Sequence, residues 1–217
     1  MQKQLFLVAS ALLLTLIACH NNPEPLAYLK YYNADGVELS RKAPSFSFID
    51  QEGKVITNQE VEGKTLLVDF FFTSCPTICP VMTTNMQKIQ NQFASNDNLI
   101  LMSHTVDPKR DTPEVLKQYA VERNIDLNTW HFLTGAKDSL YRVAYQYLCS
   151  AMEDSLAEGG FLHTEYFVLV DKNGYLRSRR DENGNVIGVY DGTDDTHIAN
   201  LIEDMELLLG GSDQWDE

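Results

Sequence analysis

Thr65-Leu66-Leu67-Val68-Asp69-Phe70-Phe71-Phe72-Thr73-Ser74-Cys75-Pro76-Thr77-Ile78-Cys79-Pro80 is the stretch on which the fold turns. Its first eight residues are apolar but for Thr65 and one acid, and have the length of a strand buried on both faces. The next eight hold two cysteines, four positions apart, at a strand-to-helix corner. A residue before proline is pushed out of the α region, and Pro80 suits a first helical position. This predicts a helix from Pro80 with Cys79 as its N-cap. The Cys79 sulfur would then sit among unpaired backbone N–H groups at the positive end of the helix dipole, which favours thiolate. Pro76 stiffens the loop between the sulfurs. The pair can close a disulfide or hold a soft metal ion. A permanent structural bridge is the bland alternative, but so short a loop adds little chain-entropy stabilisation.

Outward from the corner, strands and helices alternate. Ser45–Ile49 reads as a strand with a turn at Asp50–Gly53, and Asn98–Val106 as a second apolar strand. Thr112 caps a helix at Pro113–Arg123, with proline at its first position and Glu114 next. Trp130–Leu133 is a short strand and Asp138–Ser150 a helix that includes Cys149. Thr164–Val170, Tyr175–Arg179 and Val186–Tyr190 are strands separated by turns at Asn173-Gly174 and Asn183-Gly184, and a last helix runs from Asp195 to Leu209. The order predicts an α/β, thioredoxin-like fold: a central mixed sheet flanked by helices, with hairpin insertions.

The chain has 217 residues, and its first eighteen are expected to be a leader. Lys3 precedes an apolar run from Leu5 to Ile17, shorter than the roughly 20 residues of a membrane span and typical of a secretory signal. Leu16-Ile17-Ala18-Cys19 resembles a bacterial lipobox, in which the cysteine receives lipid. The expected organisation is residues 1–18 as lipoprotein signal peptide, 19–38 as a lipid-anchored tether, and 39–217 as the domain. Tyr28–Tyr32 is too aromatic for free linker and is expected to pack on the domain edge. Without the leader, 16 basic residues face 31 acidic ones. That excess argues against nucleic acid, which calls for a basic footprint, and against electrostatic adsorption to anionic lipid. Membrane attachment is expected through Cys19 only. Export to an oxidising compartment leaves Cys75 and Cys79 paired, kept reduced, or metal-bound, with Cys149 as a buried small hydrophobe.

Three stretches carry a resemblance: Phe72–Pro80, Val106-Asp107-Pro108-Lys109-Arg110-Asp111-Thr112-Pro113, and His163-Thr164. In order and spacing they resemble the Sco/SenC family of thioredoxin-like copper proteins of cytochrome oxidase assembly, over roughly residues 40–210. The resemblance implies copper ligation by Cys75, Cys79 and His163. Thiolates are soft ligands for Cu(I), and imidazole accepts Cu(I) or Cu(II); a Cys2His zinc set is chemically possible as well. Gly159-Gly160 reads as a mobile loop that brings His163 to the thiols. Leu162 stands where the family often has aspartate, which removes a carboxylate able to fix the histidine tautomer. Asp107 is a candidate acid behind the ligands, and Asp111 reads as a turn and cap residue. His104 lies in the strand before Asp107 and is assigned no role. Asp171-Lys172-Asn173-Gly174 and Asp181-Glu182-Asn183-Gly184 read as hairpin turns, since neither carries a full calcium ligand set.

The expected protein is a lipid-anchored copper chaperone of the bacterial envelope, facing the periplasm. It would deliver copper to the dinuclear centre of the copper-bearing subunit of cytochrome c oxidase, with other copper chaperones or thiol reductases as further partners, and would not be an enzyme. The alternative is a thiol-disulfide oxidoreductase using Cys75 and Cys79 alone. A peroxidase-like relative would want a lone peroxidatic thiol, and the doubled cysteine argues against it.

Overall fold

The computed structural model of the protein describes residues 26–210. The leader, Cys19 and the residues after 210 lie outside that range. In chain order the elements begin with β1 (Ala27–Tyr28), β2 (Lys30–Tyr32), β3 (Glu38–Ser40), β4 (Ser47–Ile49) and β5 (Val55–Thr57). β6 (Thr65–Phe71) leads through the cysteine corner into α1 (Ile78–Gln92), followed by β7 (Leu99–Thr105), α2 (Pro113–Glu122), β8 (Trp130–Leu133) and α3 (Lys137–Gln146). The chain closes with β9 (Ala151–Glu153), β10 (Phe161–His163), β11 (Tyr166–Val170), β12 (Leu176–Ser178), β13 (Tyr190–Asp191) and α4 (Asp195–Gly210).

The central sheet runs β1-β12-β11-β6-β7-β8, and β13 pairs with β11. β6, β7 and β8 are parallel, while β11 lies antiparallel on the other side of β6. Every residue of β6 is buried, as its near-continuous apolar pattern requires of a central strand, Thr65 and Asp69 included. Alternate side chains take opposite faces. Phe71 meets Tyr119 of α2 and Phe132 of β8, whereas Phe70 stacks on His104 and meets Tyr147 beyond α3. This is the mixed, helix-flanked, thioredoxin-like architecture expected from the element order.

Several local expectations are corrected. Helix α1 starts at Ile78, with Thr77 as N-cap, so Cys79 is the second helical residue and Pro80 the third. Proline is tolerated there because first-turn N–H groups have no intrahelical acceptor to lose. Helix α3 ends at Gln146; Leu148 then takes φ 65°, which stops the helix and puts Cys149 beyond it. Val186 forms only an isolated bridge to Arg180, and the strand near Tyr190 is two residues long.

The fold also reaches further toward the N-terminus than the expected boundary at residue 39. β1 extends the sheet by pairing with β12. Buried Arg177 holds this strand: its Nε and Nη2 donate to the Leu26 carbonyl at 3.2 and 2.5 Å. Its Nη1 meets Asp171 at 2.7 Å, and the Tyr28 ring lies 3.9 Å from its guanidinium carbon. Residues 26–38 therefore belong to the folded domain. The two Asn-Gly turns match expectation: Asp171 accepts from the backbone of Asn173 and Tyr175, and Asp181 from that of Asn183 and Asn185.

Candidate metal centre

Parallel β6 and β7 deliver the cysteine corner and the aspartate-rich turn to the same end of the sheet. Asp111, expected only to cap, is fully buried and ties the two together. Its carboxylate accepts from Thr73 N at 3.1 Å, Thr73 Oγ1 at 2.5 Å and Thr105 Oγ1 at 2.5 Å. Burial raises its pKa, against the pull of these three donors. Cys75 N donates to the Phe72 carbonyl at 3.2 Å, closing a tight turn under the first sulfur.

The third component arrives on a hairpin. β10 pairs antiparallel with β9, His163 opposite Ala151 and Leu162 opposite Met152. Gly159 and Gly160 make its turn at φ 79° and 86°. The segment packs on the corner as a tight turn: a Cβ at Gly159 would lie 2.7 Å from Phe72 Cε2 and 3.4 Å from Pro76 Cδ. The ring of Phe72 meets Phe161 and His163, seating the hairpin from below.

The result is a convergence of the Cys75 and Cys79 sulfurs and a His163 nitrogen, all within 4.8 Å of one another. Both thiols are free, and Cys79 Sγ lies 3.0 Å from His163 Nε2. Ligands at about 2.0–2.3 Å from one ion lie at most about 4.6 Å apart, so these three atoms are close enough to converge on a metal, with the Cys79–His163 pair parting from 3.0 Å to admit it. Two sulfurs and one imidazole form a soft donor set, suited to Cu(I) and open to Zn(II). The histidine is oriented without the carboxylate that Leu162 displaces. His163 Nδ1 lies 3.0 Å from the Thr164 carbonyl. A carbonyl only accepts, so Nδ1 carries a proton, and Nε2 is the nitrogen that faces the sulfurs.

The electrostatics reverse the expected asymmetry of the cysteines. Cys75 is the thiol pushed down, chiefly by the Cys79 sulfur beside it, with His163 and backbone N–H groups of Cys79 and Thr77 adding to the effect. Cys79, only 1% exposed, is pushed up by that same neighbour and by burial. The helix start favours the sulfur that looks onto its N–H groups, not the one already inside.

Asp107 does not join the group. Its carboxylate accepts from Arg110 N in the turn after β7, and among the described residues it makes no hydrogen bond to the sulfurs or the histidine. The acid behind the site is Asp69 of β6, 2% exposed, with Oδ1 unpartnered. Burial pushes its pKa up to about 7, opposed by a Ser103 hydrogen bond and the His163 charge. The signal was present in the sequence as the one acid inside an apolar strand. His104 sits on the other face in an aromatic cage of Phe46, Phe48, Phe70 and Tyr147, and does not approach the thiols.

Comparison with known proteins follows this geometry. The SCO1/SenC family model matches residues 35–196. A SCO1 protein homolog of Bacillus subtilis (strain 168) is 30% identical over 170 residues, covering 77% of this chain and 83% of that protein. A SCO1/SenC family lipoprotein from Bacillus anthracis str. Ames has a crystal structure with TM-score 0.67 and 29% identity, over 77% of this chain and 95% of that one. The structure of BsSco, described as a member of the Sco family of cytochrome c oxidase assembly proteins with a disulfide switch, gives TM-score 0.65 and 28% identity. It covers 80% of this chain and 96% of its own.

Proposed function

Because this chain belongs to the SCO1/SenC family, we propose that it binds copper through Cys75, Cys79 and His163 and hands it to the dinuclear copper centre of a cytochrome c oxidase subunit. The observation that carries this reading is the convergence of two sulfurs and one imidazole nitrogen at a single corner. Three protein ligands leave coordination incomplete, which suits cargo that must leave again. In this reading Cys75 offers a thiolate, Cys79 gives up its proton on loading, and His163 presents Nε2 with its tautomer fixed by the Thr164 carbonyl. Lipid on Cys19 would hold the domain at the outer face of a bacterial membrane. No helix among the described residues is long and apolar enough to cross one.

The test is metal content and absorption. The expected outcome is one copper per chain and a sulfur-to-Cu(II) charge-transfer band, lost in both Cys75→Ser and Cys79→Ser. A band of unchanged intensity in either variant refutes the site. The disulfide switch described for BsSco favours one second reading, thiol-disulfide exchange with partner cysteines through the Cys75/Cys79 couple. His163→Ala separates the two: copper transfer fails and disulfide exchange survives. Equal loss of both would deny separable roles.

A further inference from the structure

Two clefts open at the end of the sheet remote from the cysteine corner, where β6 begins and β11 ends. The first, about 560 Å³, has Lys42, Lys64 and Lys172 on its walls over Val61 and Leu66. The second, about 650 Å³, has Arg41 and Lys42 beside Tyr31 and Tyr175. Lys42 belongs to both, because its backbone bridges to Tyr175 at the edge of the sheet.

The charge around these clefts contradicts that of the whole chain, in which acids outnumber bases 31 to 17. Their lining holds one exposed carboxylate, Glu62; Asp171 is buried, with its charge held by Arg177. Lys30, Lys117, Lys137 and Arg179 each meet a carboxylate. Among the described residues, Arg41, Lys42 and Lys64 meet none. They are instead held by uncharged groups. Lys64 Nζ donates to the Asp97 carbonyl at 2.8 Å, Lys42 Nζ lies 4.7 Å from the Tyr175 ring centre, and the Arg41 guanidinium 5.2 Å from that of Tyr31. Fixed cations with no counter-ion, sharing a concave surface, focus positive potential.

We propose that these clefts bind a phosphate-bearing anion, with Lys42 and Lys64 as point charges on its oxygens and Arg41 offering a planar fork. The phosphate belongs to a soluble compound or to a phospholipid headgroup; the chemistry recognised is the same. Binding here leaves the thiols free, since β6 separates the two ends by seven residues, roughly 20 Å at the rise of a strand.

The experiment uses the full chain carrying Cys19→Ser, so that no acyl chain is attached, with backbone amide shifts of residues 41–43 and 61–64 as the readout. One arm titrates inorganic phosphate against sodium chloride of equal ionic strength; the other adds nanodiscs of phosphatidylglycerol or of phosphatidylcholine. Saturable shifts with phosphate support a soluble ligand, and shifts with phosphatidylglycerol discs alone support a headgroup. Lys42→Glu/Lys64→Glu should weaken either by at least about tenfold, and the neutral pair Lys42→Gln/Lys64→Gln should do so to a smaller extent. Lys54→Glu, exposed and outside both clefts, should change it less than about twofold. Absence of saturable shifts in both arms, persistence of binding in the double variants, or equal loss in Lys54→Glu overturns the proposal.

Discussion

Replacing Asp69 with asparagine should convert a pH-dependent stability into a flatter one. Asp69 is buried on β6 with one oxygen unpartnered, and its pKa stands at about 7 in the fold against 3.8 for an ordinary aspartate. Its folded pKa is raised, so its contribution is fully present below pH 3.8 and is lost as pH rises through about 7. A shift of that size at 1.36 kcal/mol per unit is about 4 kcal/mol, of which about 3 kcal/mol falls between pH 5 and 8. Asparagine does not titrate. Its amide N–H groups face the same unpartnered site at a fixed cost of about 1–3 kcal/mol, which offsets the curve without tilting it. The assay is urea unfolding of reduced, metal-free protein at half-unit steps from pH 5 to 8, extrapolated linearly to water. The quantity read is variant minus parent, in which every other titrating group cancels. It should climb in favour of Asp69→Asn by about 3 kcal/mol toward alkaline pH. A difference that moves by less than about 1 kcal/mol would show that Asp69 is not neutral in the fold.

His104 should act with the opposite sign. Burial lowers its pKa to about 4 from 6.5, so the stability it permits is present above pH 6.5 and lost toward pH 4, about 3 kcal/mol in all; His104→Leu should abolish this acid loss, as read from urea midpoints at pH 4.5 and 7.5. Asp111→Ala strips the acceptor from Thr73 N, Thr73 Oγ1 and Thr105 Oγ1. It should cost about 3 kcal/mol and speed alkylation of Cys75; an unchanged midpoint refutes the anchor. Gly159→Ala places a methyl 2.7 Å from the Phe72 ring at φ 79°. It should cost about 1–3 kcal/mol and weaken the copper charge-transfer band by displacing His163; a band of parental intensity would show that the hairpin does not position the histidine.

Much of this was written locally. The run Thr65–Phe72 is apolar but for Thr65 and Asp69 because its strand has neighbours on both edges and layers on both faces, so burial alone made it legible. Thr112-Pro113-Glu114 marks a helix start by propensity, and the helix begins there, with Thr112 Oγ1 accepting from Val115 N. The hairpin that carries His163 was not legible. Ala151–Glu153 and Phe161–His163 are three residues each, too short to show a period, and their pairing is fixed by contact with the corner. Asp107 and Asp111 are near-identical in their local signals, each beside a turn. Which one is buried depends on the strand they follow and on Thr73 across the sheet.

The sequence by itself determined the order of strands and helices, the two thiols at the end of a buried strand, and the excess of acid. These rest on periodicity, propensity and composition, which are local or additive. Tertiary structure alone decided which thiol is pushed down, because Cys79 and His163 come up beside Cys75 only once α1 has started at Ile78 and the β9–β10 hairpin has paired. It also decided how His163 is held without a neighbouring carboxylate, and that the aspartate behind the site is Asp69 and not Asp107. Those outcomes depend on desolvation and on distances between residues far apart in the chain, and neither quantity exists until the sheet has closed.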